Sequence, residues 1–146
     1  MVESAMTLPP EVSRGSPVEL MRGSVRGGTA GRMVSAALAK ASFLITLELR
    51  FTHIIVTCRE PVDSMYRAYQ FDDLLGGRMI NLPYSPGAQH RVLCLPVAEA
   101  ADRWRTNNVR LNEFMLGTTH PDIRLDFDAV RERLRKAIES EAPLDV

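Results

Sequence analysis

Signatures of a metal centre or of covalent catalysis are missing from this sequence. Its two cysteines, Cys58 and Cys94, lie far apart, and neither has a second cysteine or a histidine at ligand spacing, so no metal site is nominated. Both read as reduced core thiols, in keeping with a cytoplasmic protein. His53, His90 and His120 are scattered and take surface or structural roles. No nucleophile elbow and no Ser, His and Asp set is present, which disfavours covalent catalysis by the protein. Net charge is absent as well: 18 basic and 18 acidic residues cancel, so no bulk field argues for a nucleic-acid partner. The start shows no basic stretch followed by an apolar one and a small-residue cleavage pattern, so nothing directs the chain out of the cytoplasm. The apolar run from Met33 to Leu49 is interrupted by Lys40 and Glu48 and falls short of the roughly 20 residues a membrane span needs. It is read as a buried helix, with no membrane span.

What is present suits one α/β domain: 146 residues, 45% of them hydrophobic, are ample for a core. Residues 1–17 hold Pro9, Pro10, Gly15 and Pro17 without periodicity and read as a flexible lead-in. Val18 to Val25 can be a strand that Gly23 bulges. A glycine-rich turn, Arg26 to Arg32, leads into the helix of Met33 to Leu49. His53 to Cys58 is a short β-branched run, expected to be a strand buried on both faces. Pro61 then opens a helix to Phe71, in which Val62, Met65, Tyr66 and Tyr69 recur at helical spacing and face the sheet. A loop with Gly76 and Gly77, a strand Arg78 to Leu82, a turn Pro83 to Gln89 and a strand Arg91 to Val97 follow. Ala98 to Met115 reads as one helix closed by Gly117, and Asp128 to Glu139 as a last amphipathic helix. The domain proper is taken as 18–124, with a C-terminal helix and tail over 125–146.

Two places hold residues for chemistry. Gly27, Gly28 and Gly31, with Thr29 and Ala30 between them, let backbone N–H groups converge at the positive end of a helix, where an anion is the natural occupant. Arg32 in that first turn, with Arg22 and Arg26, adds charge for a phosphate; an ordinary tight turn would look similar. Tyr66 is either an aromatic packing on the sheet or a phenol that gives its proton to a departing thiolate. Glu19 and Arg22 read either as a solvated pair or as polar groups at a substrate cleft.

Val18-Glu19-Leu20-Met21-Arg22-Gly23-Ser24-Val25, the turn Arg26 to Arg32, the strand His53 to Cys58 and the segment Met65 to Phe71 together resemble the GCN5-related N-acetyltransferase fold. More narrowly they look like the N-acyl amino acid synthases, which are similar to the autoinducer synthases. Glu19, Leu20, Arg22 and Val25 match a Glu-Leu-Ser-Arg-x-x-Val strand, and Tyr66 and Phe71 match a Tyr-x-x-Leu-Gly-Phe segment in which Gln70 replaces glycine. Arg91 to Val97, Trp104 and Leu111 to Ile123 extend the likeness. The usual pantetheine signature is not kept, since Thr29 stands where its first glycine would fall.

The resemblance implies a mixed central sheet flanked by helices, with about three N-terminal strands of the fold missing here. It further implies an acyl group moved from a pantetheine thioester to an amine or amino acid, with acyl carrier protein or acyl-CoA as donor and no tightly bound cofactor. Met21, Arg22 and Gly23 would polarise the thioester carbonyl, and Arg26, Gly27, Gly28, Thr29, Ala30, Gly31 and Arg32 would hold pantetheine. Tyr66 would protonate the thiolate, and Glu19 would orient or deprotonate the amine. The first strand would be a sheet edge open to another copy. Rival readings are an acetyl-CoA-dependent N-acetyltransferase, and a non-catalytic module that binds a thioester carrier or another protein.

Overall fold

The run His53–Cys58 forms β2, with the bounds its sequence predicts. In this computed structural model, which describes residues 2, 5–21 and 27–141, β2 is the second strand of a mixed sheet. Its neighbours are β1 (Pro17–Leu20), parallel, and β5 (Ser85–Pro96), antiparallel. Beyond β5 lies β3 (Asp72–Asp73), while β4 (Ile80–Leu82) folds back on the first half of β5 as a bulged hairpin. Ile54, Val56 and Cys58 face one core cluster and Ile55 the other, so β2 is buried on both faces, as expected. Pairing of β1 with β2 alone among the described residues leaves β1 as a sheet edge.

The parallel pair needs a crossover, and α2 (Gly28–Glu48) supplies it. It starts at the glycine turn itself, where Gly28 adopts φ +92°, a conformation that suits a residue without Cβ. The helix expected over Met33 to Leu49 begins earlier, at Gly28, and is less buried than expected. At 21 residues α2 is long and apolar enough, by length and composition alone, to cross a membrane, and only Gly31, Lys40, Phe43 and Thr46 along it are buried. After β2 comes α3 (Val62–Ala68), shorter at both ends than the Pro61 to Phe71 expectation. Strand β5 begins at Ser85, inside the stretch read as a turn, because the hairpin needs only Pro83 and Tyr84.

The single helix expected over 98–115 is broken. α4 (Val97–Asn107) ends at Asn108, whose extended backbone and side-chain oxygen, 3.1 Å from the Leu111 N–H it accepts, cap α5 (Val109–Asn112). Asparagine competes for backbone N–H groups in this way, which makes it a cap more readily than an interior residue. A π-helical turn, Glu113–Gly117, follows, and α6 (Phe127–Glu141) closes the described chain.

Residues 1–17 are not a flexible lead-in over the part described. Leu8 and Val12 are buried with Val2 against Ile55, Val92 and Cys94, and α1 (Pro10–Ser13) has a proline at its start, where its missing N–H costs nothing. This segment covers one face of the sheet; α2, α3 and α4 cover the other.

Candidate functional site

The helical face of the sheet is hollow. A cavity of about 310 Å³ opens between α2, α3 and the strands, with Phe43, Leu95, Trp104 and Met115 among its walls. It is bordered by Leu20 and Met21 at the end of β1, and by Ser35, Leu38, Ala39 and Ser42 of α2, one face at i, i+3, i+4 and i+7. From α3 come Val62, Met65, Tyr66 and Tyr69, the face that helical spacing predicts. Met21, Leu38 and Val62 are partly open to solvent and frame the mouth.

Tyr66 is half-buried in this wall. Burial pushes its phenol above the ordinary range, and the neighbouring Cys58 and Tyr69 add to the effect, so it keeps its proton at neutral pH. Its five-residue distance from Phe71 has a structural cause. The Phe71 N–H donates to the Tyr66 carbonyl (3.1 Å), the Gln70 N–H donates to that of Arg67 (2.9 Å), and Gln70 takes φ +67°. These bonds form a Schellman closure, completed by the edge contact of the two rings at 5.3 Å. Glycine is the ordinary residue at the left-handed position that Gln70 fills. The case for Tyr66 therefore rests on where it stands rather than on the spacing.

Glu19 also borders the cavity, yet its carboxylate turns away. Val18 and Leu20 pack into the cavity-side core, and the alternating Glu19 faces the N-terminal segment, where Oε2 accepts the Val2 N–H at 2.9 Å. Tyr66 and Glu19 thus share a cavity wall without their functional groups meeting. Of the remaining nominated residues, Met21 lies at the mouth, whereas Arg22, Gly23 and Arg26 fall outside the described residues. Gly27 caps α2; Thr29, Ala30 and Arg32 are exposed in its first turn, Gly31 is buried, and none of Gly27 to Arg32 borders the cavity. The Arg32 guanidinium donates to Thr29 Oγ1 at 3.1 Å.

Two polar arrangements were not legible beforehand. Lys40, buried in α2, donates from Nζ to the carbonyls of Phe114 (2.6 Å) and Thr118 and lies 5.3 Å from the Phe114 ring centroid. It pins the π-helical turn that carries Met115, and burial lowers its ammonium below the ordinary lysine range. At the end of β2, Arg91 pairs with Asp63 and Asp73, and Arg67 with Asp73. Burial tends to raise the Asp73 carboxyl, but N–H groups of Gly77 and Leu75 and the Arg91 guanidinium outweigh it and hold it below the usual range. Cys58 and Cys94 are buried free thiols, each pushed up to about 11, chiefly by burial, which leaves them inert. Among the described residues no His, Cys, Asp and Glu group is arranged to hold a metal ion. No family model matches this chain, and neither curated proteins nor solved structures provide a match.

Proposed function

We propose that this chain is an acyltransferase-like domain that takes an acyl thioester, borne on acyl carrier protein or coenzyme A, into the cavity beside Tyr66. The observation that carries the reading is that one apolar hollow collects Met21, at the end of β1, and Tyr66, on the helix after β2. Its size is at the lower end of the roughly 300–1,000 Å³ of ligand pockets. Among the described residues the parallel pairing runs to Leu20 and Val56, beside which Met21 reaches the cavity, while β2 runs on to Cys58. Open α/β sheets bind ligands at the carboxyl ends of such strands. The mixed sheet and the β1–α2–β2 crossover are compatible with the N-acetyltransferase fold, which belongs to the same proposal.

In the reaction an amine attacks the thioester carbonyl, the C–N bond forms, the C–S bond breaks, and the departing thiolate takes the Tyr66 proton. The proton released by the attacking amine then returns through solvent to the Tyr66 phenolate, so the products are an amide, a free thiol and a neutral Tyr66; a base beside the amine would speed that transfer. The Glu19 carboxylate is engaged by Val2 on the other face, and that one contact favours a binding-only role as the second reading.

Calorimetric titration with acetyl-CoA, a long-chain acyl-CoA and acyl-loaded carrier protein tests both. We expect saturable binding that Ala39→Phe abolishes by filling the hollow. Tyr66→Phe should bind the donor as before and turn over amines on the order of 10²-fold more slowly. A folded chain that binds none of the three donors ends the proposal, and binding without turnover of any amine leaves the second reading.

A further inference from the structure

We infer that Arg91 is a positioning residue for Tyr66: by bridging Asp63 and Asp73 it sets the rotation of α3 about its own axis and so aims Tyr66 into the cavity. The inference rests on the reading of Tyr66 as the group that meets the thioester.

The need for such a device follows from the size of α3. Its seven residues are fewer than the roughly 12–15 that make even a good isolated helix marginal in water, so its orientation must come from tertiary contacts. Contacts on the cavity side cannot supply all of it, because that side is hollow. On that side the polar contact is Ser35 Oγ of α2 donating to Met65 Sδ at 3.5 Å, and the ion pairs of α3 lie elsewhere on the helix. Asp63 in its first turn and Arg67 in its last sit one turn apart, on a face about 120° round from the one that carries Val62, Met65, Tyr66 and Tyr69, at roughly 100° per residue.

Both ends of that face run to one hub. Arg91 Nη1 donates to Asp73 Oδ2 at 3.2 Å, while Arg91 Nε stands 3.3 Å from Asp63 Oδ2 as an ion pair without hydrogen-bond geometry. Arg67 Nη2 reaches the same Asp73 oxygen at 3.5 Å. Side-chain exposures of 11% for Asp63, 21% for Arg91 and 12% for Asp73, against 49% for Arg67, make the Arg91 bridge the shielded part of the hub. The second oxygen of each carboxylate is fixed by backbone, Asp63 Oδ1 by the Ser64 N–H (2.9 Å) and Asp73 Oδ1 by the Leu75 N–H (3.0 Å). Arg91 itself stands on β5 opposite Cys58, the last residue of β2, so the hub is anchored at the end of the β2–β5 ladder. A planar guanidinium reaches two carboxylates through different nitrogens; a lysine, with one nitrogen, cannot reproduce that fork.

The test is an alkaline titration of the Tyr66 phenol by tyrosinate absorbance in Arg91→Lys and Asp63→Asn, each corrected by its Tyr66→Phe counterpart. Arg91→Lys keeps every charge, so a change there reports orientation and not field. Asp63→Asn keeps an oxygen for the Ser64 N–H and cuts only the ion pair, which guards against a misfolded first variant. We expect both midpoints to move down towards that of a water-exposed tyrosine. An unmoved midpoint in either variant, with circular dichroism intact, overturns the inference, because a hub that merely added stability would leave Tyr66 where it is. The readout needs no ligand, so failure of the wild-type chain to bind acyl-CoA would remove the cavity reading without being mistaken for failure of the Arg91 bridge.

Discussion

The two faces of the sheet bury similar residues and end up different. On one, an irregular segment with a single short helix lays Val2, Leu8 and Val12 onto Ile55, Val92 and Cys94, none of which borders the cavity. A chain without regular structure can follow the surface it covers. On the other face, three helices of fixed diameter meet the strands, and where they diverge α2 presents Ser35, Ala39 and Ser42, too small to fill the gap. Closely packed interiors rarely tolerate such a space, since its lining forgoes dispersion contacts. The hollow is thus written into the small side chains of α2, and substitution can fill it or enlarge it.

The largest effect is expected from Trp104→Ala on the hollow face. Trp104 is fully buried, meets the Phe43 ring edge-on at 4.7 Å between centroids and donates from Nε1 to the Tyr69 carbonyl at 3.0 Å. Denaturant unfolding should show a loss of about 3–5 kcal/mol. A loss below about 1 kcal/mol would mean that this face is already loosely held. A smaller effect sharpens the contrast directly: on the filled face, Val92→Leu adds one methylene to a residue at 0% exposure and should cost about 1–3 kcal/mol. On the hollow face Ala39→Leu adds three carbons at the cavity wall and should cost less than that, despite the larger insertion. Equal costs would show that the space beside Ala39 is not open to a side chain.

Legibility in the sequence followed how local each feature is. The β-branched run of β2 and the cavity face of α3 could be read because each depends on residues within one element. The N-terminal cover was missed because Pro9, Pro10 and Gly15 read as breakers, and nothing nearby shows that Leu8 and Val12 have a sheet face to bury in. Asn108 fits the helical periodicity of the stretch from Ala98 to Met115, and its capping bond is visible only in the fold. The small residues of α2 at Ser35, Ala39 and Ser42 were a signal that could have been used, since they interrupt an apolar helix on one face. The hub around Arg91 had no such signal. Asp63 and Arg67 look like an ordinary pair along one helix, and only the strand register brings Asp73 and Arg91 to them.

The smallest effect separates the structural from the functional meaning of the Tyr66 to Phe71 segment. Gln70 sits at φ +67° in the closure of α3, and Arg50 sits at φ 58° in the corresponding closure of α2. A non-glycine residue in the left-handed region costs roughly 1–2 kcal/mol, offset in part by the greater entropy that glycine has in the unfolded chain. Gln70→Gly and Arg50→Gly should therefore each stabilise the fold by up to about 1 kcal/mol, read as a shift in denaturation midpoint at constant slope. The two differ in what else they touch. Gln70 follows the cavity helix, and its carbonyl accepts from Arg103 Nη1 at 3.1 Å, whereas Arg50 is remote from the cavity. If the closure only ends the helix, both variants gain alike and the Tyr66 titration is unmoved in both. A Gln70→Gly variant that gains stability while shifting that titration would show instead that the strained residue helps to hold Tyr66 against Phe71.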